Sequence, residues 1–197
     1  MYAVLAEDIS DAEIIASIIK SIKKDDSITV YRKGYGGAGD LFKQGAAQIQ
    51  AYKEAKNIRN FIICYDSDGD CPEGRKKKII DEIVHPSGVQ GKFCAVVPIQ
   101  EIESWFLSDL AAIKKVFGSF EVKREIHNPE GIQSPKEYLH GEIKKLKPMP
   151  KFIHSSHSPK IAGNLDFELV KRKCDSFEPL YQFLKHRKSN VDARAVS

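Results

Sequence analysis

The chain has 197 residues, 42% of them hydrophobic, with 13 Gly and 9 Pro, enough apolar material for one sizeable core with a small appendage. Its four cysteines, Cys64, Cys71, Cys94 and Cys174, are widely spaced and form no Cys-x-x-Cys pair, which argues against a zinc site or a disulfide framework and for reduced thiols. The net charge of +4 is unevenly spread: residues 136–188 hold 12 Lys or Arg against 6 Asp or Glu, a local +6 that leaves −2 elsewhere, as suits a protein gathering cations in one half and a polyanion in the other.

Residues 2–6 are an apolar run suited to a buried strand, and Ser10 with Glu13 then makes a capping-box pattern ahead of Ile14, Ile15, Ile18, Ile19 and Ile22. Residues 27–31 read as a second strand, 34–39 as a glycine-rich loop and 40–56 as a helix capped by Asp40. The third unit is the clearest: 58–65 is an almost unbroken β-prone run, followed by an acidic turn and a helix over 75–84. A fourth strand, 93–98, leads into a helix carrying Trp105, Phe106, Leu107, Leu110 and Ile113, whose spacing marks Trp105 and Phe106 as core.

Strands alternating with helices in this way predict right-handed crossovers and an α/β, Rossmann-like fold with a mostly parallel four-stranded sheet flanked by helices. Beyond residue 120 the β signal fades, and Pro135, Pro148, Pro150 and Pro159 punctuate basic segments with helices expected over 135–146 and 165–174. The expected organisation is a domain over 1–120, a mainly helical basic extension packed on it over 121–189, and a flexible tail at 190–197. No basic leader follows Met1 and no apolar run approaches the roughly 20 residues that span a bilayer, so the reading is a cytoplasmic protein without a membrane partner.

Chemistry enters through position. Glu7 follows the first strand, Asp66, Asp68 and Asp70 the third, and Glu101 and Glu103 the fourth, so all fall where parallel sheets bind ligands. Carboxylates converging on one edge repel one another by several kcal/mol in a partly desolvated site, and bound cations relieve this. Oxygen ligands select magnesium, manganese or calcium. Asp66-Ser-Asp-Gly-Asp is not an EF-hand, because its glycine falls at loop position 4 and Lys77 occupies position 12. The loop over 34–39 lacks the Lys-Ser/Thr ending of a Walker A motif, so no ATP hydrolysis by this chain alone is expected. His154 and His157 are candidates for a general acid or a backbone contact.

Glu7 with Asp11 four residues on, the glycines around Gly36 and Gly37, and Asp66-x-Asp68 after an apolar strand resemble the Toprim signature of primases, topoisomerases and the overcoming-lysogenisation-defect (OLD) nucleases. The segments from Pro98 to Asp109, Asn128-Pro-Glu, Ser134-Pro-Lys-Glu and His157-Ser-Pro-Lys160 extend the resemblance to small stand-alone Toprim-like proteins, over residues 1–187. The resemblance implies Glu7, Asp11, Asp66 and Asp68 as ligands of Mg2+ or Mn2+, and position at the strand ends adds Asp70 and Glu103 as candidate ligands. Asp8 replaces the family's usual glycine after the glutamate. Lys160 matches the late nuclease lysine by order and context, which implies a catalytic role in neutralising charge on the phosphate, and with His157, Gly36 and Gly37 it is the implied nucleic-acid contact. The implied activity is two-metal hydrolysis of DNA, more than RNA, as an anti-phage defence effector beside an ABC/OLD-type ATPase.

Two other classes fit the same residues. In a haloacid-dehalogenase-like phosphatase Asp66 would be the nucleophile, although that motif belongs on the first strand and ends in Thr or Val where this chain has Asp70. In a non-enzymatic adaptor the acidic edge would bind a cation or a basic partner without turnover.

Overall fold

The computed structural model describes residues 1–121 and 125–186. The expected tail at 190–197 lies outside them.

Four strands and their crossovers come first: β1 (Tyr2–Ala6), α1 (Ile9–Lys23), β2 (Val30–Gly34), α2 (Ala38–Lys56), β3 (Asn60–Cys64), α3 (Pro72–Ile79) and β4 (Lys92–Val96). A π-helical turn, Ile80–Val84, joins α3 to the short α4 (His85–Ser87). The sheet is parallel throughout in the order β2-β1-β3-β4. Period-two alternation assigns each strand residue to a face. Val4, Ala6, Ile62, Cys64, Cys94 and Val96 join one core with α1, and Ala3, Leu5, Phe61, Ile63, Phe93 and Ala95 join the other with α2, α3 and the π turn. The chain reverses direction across the sheet after β2, so right-handed crossovers place α1 and α2 on opposite faces.

The elements after β4 close the α1 face: α5 (Glu103–Ser108), α6 (Leu110–Val116), α7 (Pro135–Lys144), α8 (His154–Gly163), α9 (Phe167–Lys173) and α10 (Glu178–His186). Their core is continuous with the sheet, from Val4 and Ile62 to Phe177, Leu180 and Leu184. Along α1, Ser17 Oγ donates to the Pro159 carbonyl (2.6 Å) and Ser21 Oγ to that of Gly163 (3.1 Å), while Lys23 reaches the Leu184 carbonyl. Trp105 is fully buried, donates to Ser176 Oγ (2.9 Å) and meets Phe177 edge-on. Glu130 accepts from the Asp175 and Ser176 amides at 2.9 and 3.2 Å, tying the Pro129–Gly131 turn to the 3-10 turn Asp175–Phe177 that leads into α10.

Several boundaries differ from the sequence expectation for local reasons. Asp8, not Ser10, caps α1: its backbone is still extended (φ −115°, ψ 149°), and its side chain accepts from the Ser10 amide at 2.7 Å. The second strand begins at Val30 because Asp25 holds Ser27 in a turn and the register pairs Val30 with Tyr2. Asp40 is not the cap of α2, which starts two residues earlier at Ala38 after the positive-φ glycines Gly36 and Gly37. The helix expected through Ile113 is divided at Asp109, whose carboxylate caps α6 and accepts from the Asp166 amide at 2.8 Å. His157 lies in α8 and not in a loop. All four cysteines are free, Cys64, Cys94 and Cys174 being buried and Cys71 exposed. Among the described residues no helix is long and apolar enough to cross a membrane.

Candidate functional site

Strand order reverses between β1 and β3, and the crevice above the carboxyl ends of these two strands is the usual ligand position in an open parallel sheet. A cavity of about 280 Å³ occupies it. Glu7, Asp8, Ser10 and Asp11 enter from the β1–α1 connection, Gly36 and Gly37 from that after β2, Asp66 and Asp68 from the end of β3, and Glu101 and Glu103 from the approach to α5. Lys136 at the start of α7 and His154 at the start of α8 complete the lining. A larger cavity, about 670 Å³, lies against Leu107, Leu110, Phe120, Ile126 and Leu146. Its lining also includes Glu121, Glu142, Lys145 and Lys147, but its two carboxylates stand against seven in the smaller crevice, so the convergence of acidic groups marks the latter.

Backbone bonds set this edge. The Glu7 carbonyl accepts from the amides of Tyr35, Gly36 and Gly37 at 3.1, 2.9 and 3.3 Å, so the loop after β2 is folded onto the end of β1. Gly34 permits the close pass, because a Cβ there would lie 2.3 Å from the Ile9 nitrogen. Beyond β3 the chain stays laced to the exit of β4: Ser67 N bonds the Pro98 carbonyl at 3.0 Å, Gly69 N that of Ile99 at 3.2 Å, and Ser67 Oγ also reaches Ile99. Ser67 is thereby buried while Asp66 and Asp68 line the crevice. Asp68 (φ 51°) and Gly69 (φ 80°) then turn the chain away through left-handed backbone.

The electrostatics follow from the crowding. Asp66 Oδ1 is shielded from solvent and has no hydrogen-bond partner. Burial, then the charges of Asp11 and Glu103, push the Asp66 carboxyl well above the usual carboxylate range. Burial and the charges of Glu103 and Asp8 lift Asp11 to about 7. Glu103 is 3% exposed and pairs with His154 Nε2. Glu101, raised chiefly by burial, accepts from the Lys136 amide at 3.0 Å and so caps α7. The Asp8 carboxyl is lowered by the Ser10 amide. An orphaned, desolvated carboxylate oxygen among further carboxylates is a donor set that could hold a hard divalent cation. Among the described residues, no group of three or more His, Cys, Asp and Glu side chains stands ready as a coordination shell.

The structure gathers Glu7, Asp11, Asp66, Asp68 and Glu103 at this crevice, with Glu101 and the two glycines. The amides of Gly36 and Gly37 are engaged by Glu7, so these residues contribute space and not donors. Three expected residues lie outside the lining. Asp70 is exposed and paired with Arg75 at 2.7 Å. His157 stacks near Phe117 and Phe152 and its Nδ1 meets the Ile153 amide at 2.9 Å. Lys160 is an exposed residue of α8. Lys136 was not foreseen, and His154 was not separated from His157. The sequence signal for Lys136 was Ser134-Pro135, a proline-led helix start that sets Lys136 in its first turn.

The fold and crevice define an α/β protein with an acidic site at the switch point of a parallel sheet. The chain belongs to the family described as a domain of unknown function, DUF4276, whose profile matches residues 6–185. No curated protein and no solved structure matches it.

Proposed function

We propose that this chain is a Toprim-like, Mg2+- or Mn2+-dependent nuclease that hydrolyses DNA phosphodiester bonds in the cytoplasm, as a defence effector working with an ABC/OLD-type ATPase. The observation that carries the reading is the partnerless Asp66 Oδ1, buried at the strand end among Asp11, Asp68 and Glu103. Glu7, Asp11, Asp66 and Asp68 would hold the cations. Bound cations supply an activated water and charge neutralisation at the scissile phosphate. Glu103 pairs with His154 at the crevice wall, and Lys136, in the same lining, would meet a phosphate oxygen, the role that the resemblance implies for Lys160. Asp70, held by Arg75, has no part in this reading.

The test is cleavage of supercoiled plasmid and single-stranded DNA in magnesium, manganese or EDTA, beside an Asp66→Ala/Asp68→Ala variant. The expected result is metal-dependent nicking that the variant loses while keeping its circular dichroism spectrum. The variant removes repulsion, so its fold should persist. Trapping an aspartyl-phosphate on Asp66 would turn the reading to a phosphatase. Absence of cleavage even with the cognate ATPase present would leave a binding module.

A further inference from the structure

Residues 144–153, Lys-Lys-Leu-Lys-Pro-Met-Pro-Lys-Phe-Ile, join α7 to α8 and contain no acidic residue. Lys144, Lys145, Lys147 and Lys151 are exposed, and Lys145 pairs with Glu142. At the tip Met149, between two prolines, is 68% exposed, and Ile153 is 43% exposed. Met149 stands two residues from Lys147 and two from Lys151, so the segment offers a polyanion cations with an apolar side chain between them. The roots of the segment are fastened. Leu146 and Phe152 pack against the core, Phe152 lies against Phe117, His140 and His157, and the Ile153 amide bonds His157. The chain leaves the acidic crevice at Lys136, runs along α7, and returns to it at His154. Met149 is five residues before His154, at most about 17 Å of extended chain from the crevice.

We propose that this segment is a DNA-binding strap: Lys144, Lys147 and Lys151 contact backbone phosphates, and Met149 presses as an apolar wedge into the minor groove of a duplex whose phosphate lies in the crevice. Wedges of Met, Pro or Leu flanked by cations are a known way of gripping and bending DNA. The choice of DNA as the polyanion rests on the nuclease reading of the adjoining site. An anionic membrane is the competing surface, and nothing joins it to the carboxylates next door.

Binding separates the two ideas. The full chain is titrated into a fluorescein-labelled duplex of roughly 20 base pairs in EDTA, which stops metal-dependent cleavage, at salt from about 50 to 200 mM, reading anisotropy. Lys144→Ala/Lys147→Ala/Lys151→Ala is expected to bind roughly 1,000-fold more weakly at the lowest salt, with a salt slope shallower by about 2.7. Met149→Ala should weaken binding about fivefold at unchanged slope, since it removes no phosphate contact. Unaltered affinity and slope in the triple variant overturn the strap, as does lysine-dependent binding to phosphatidylserine vesicles with no binding to DNA. Strap-dependent binding without cleavage by the wild type sinks the nuclease reading alone. Cleavage and binding indifferent to the strap sink the strap alone.

Discussion

Asp11 stands in the first turn of α1, where an aspartate ordinarily favours the helix, yet it faces the carboxylates of Asp66 and Glu103. Its folded-state value of about 7 lies above the ordinary aspartate value of 3.8, so the folded state holds this proton more tightly than the unfolded chain. Below about pH 4 both states are protonated and there is no penalty. Stability is lost as the pH rises toward 7, and the full cost remains above it. Asp11→Asn should therefore stabilise the metal-free protein at pH 8 by about 1–3 kcal/mol, a Tm rise of roughly 3–10 °C, with the gain vanishing near pH 4. Calorimetry in EDTA at both pH values checks it, and an equal gain at both would remove charge repulsion as the cause. Magnesium should raise the wild-type Tm more than that of the variant.

The connection from β1 into α1 carries Glu7 and Asp11 and is held by the loop after β2, so the site depends on how tightly these elements pass. At Gly34 an added Cβ would meet the Ile9 nitrogen at 2.3 Å and its Cα at 2.6 Å, both backbone atoms that a rotamer change cannot move. Gly34→Ala is predicted to cost about 1–3 kcal/mol, seen as a lower urea midpoint, and to weaken cation binding with it. Gly39, in the first turn of α2, has open space around its Cα, and Gly39→Ala should be neutral or stabilising by up to about 1 kcal/mol. Equal effects at the two positions would show that close approach is not what matters.

At the scale of the molecule, the helices after β4 cover one face of the sheet and share its core, and two of them bring Lys136 and His154 to the crevice. Trp105, the only tryptophan, sits at this junction against Phe177 and Ser176. Its fluorescence and far-ultraviolet circular dichroism should follow one coincident urea transition, as a shared core requires. Separated transitions would mean that the C-terminal helices fold as a unit of their own.

The sequence by itself determined the strand-helix alternation, the parallel sheet and the buried place of Trp105, because hydrophobic period and β-branched runs are local signals that burial on both faces reinforces. It also marked Glu7, Asp66, Asp68 and Glu103, since the carboxyl end of a strand can be read from the strand itself. Tertiary structure alone decided the rest. Strand order created the switch point between β1 and β3, the bond to Arg75 took Asp70 out of the cluster, and the lacing to Glu7 engaged the amides of Gly36 and Gly37, two residues that the resemblance implies as nucleic-acid contacts. Lys136 and His154 lie well over a hundred residues from Glu7, and only the packing of α8 on α1 and the capping of α7 by Glu101 bring them to it. Such contacts depend on the shape of the whole core, which no window along the chain contains.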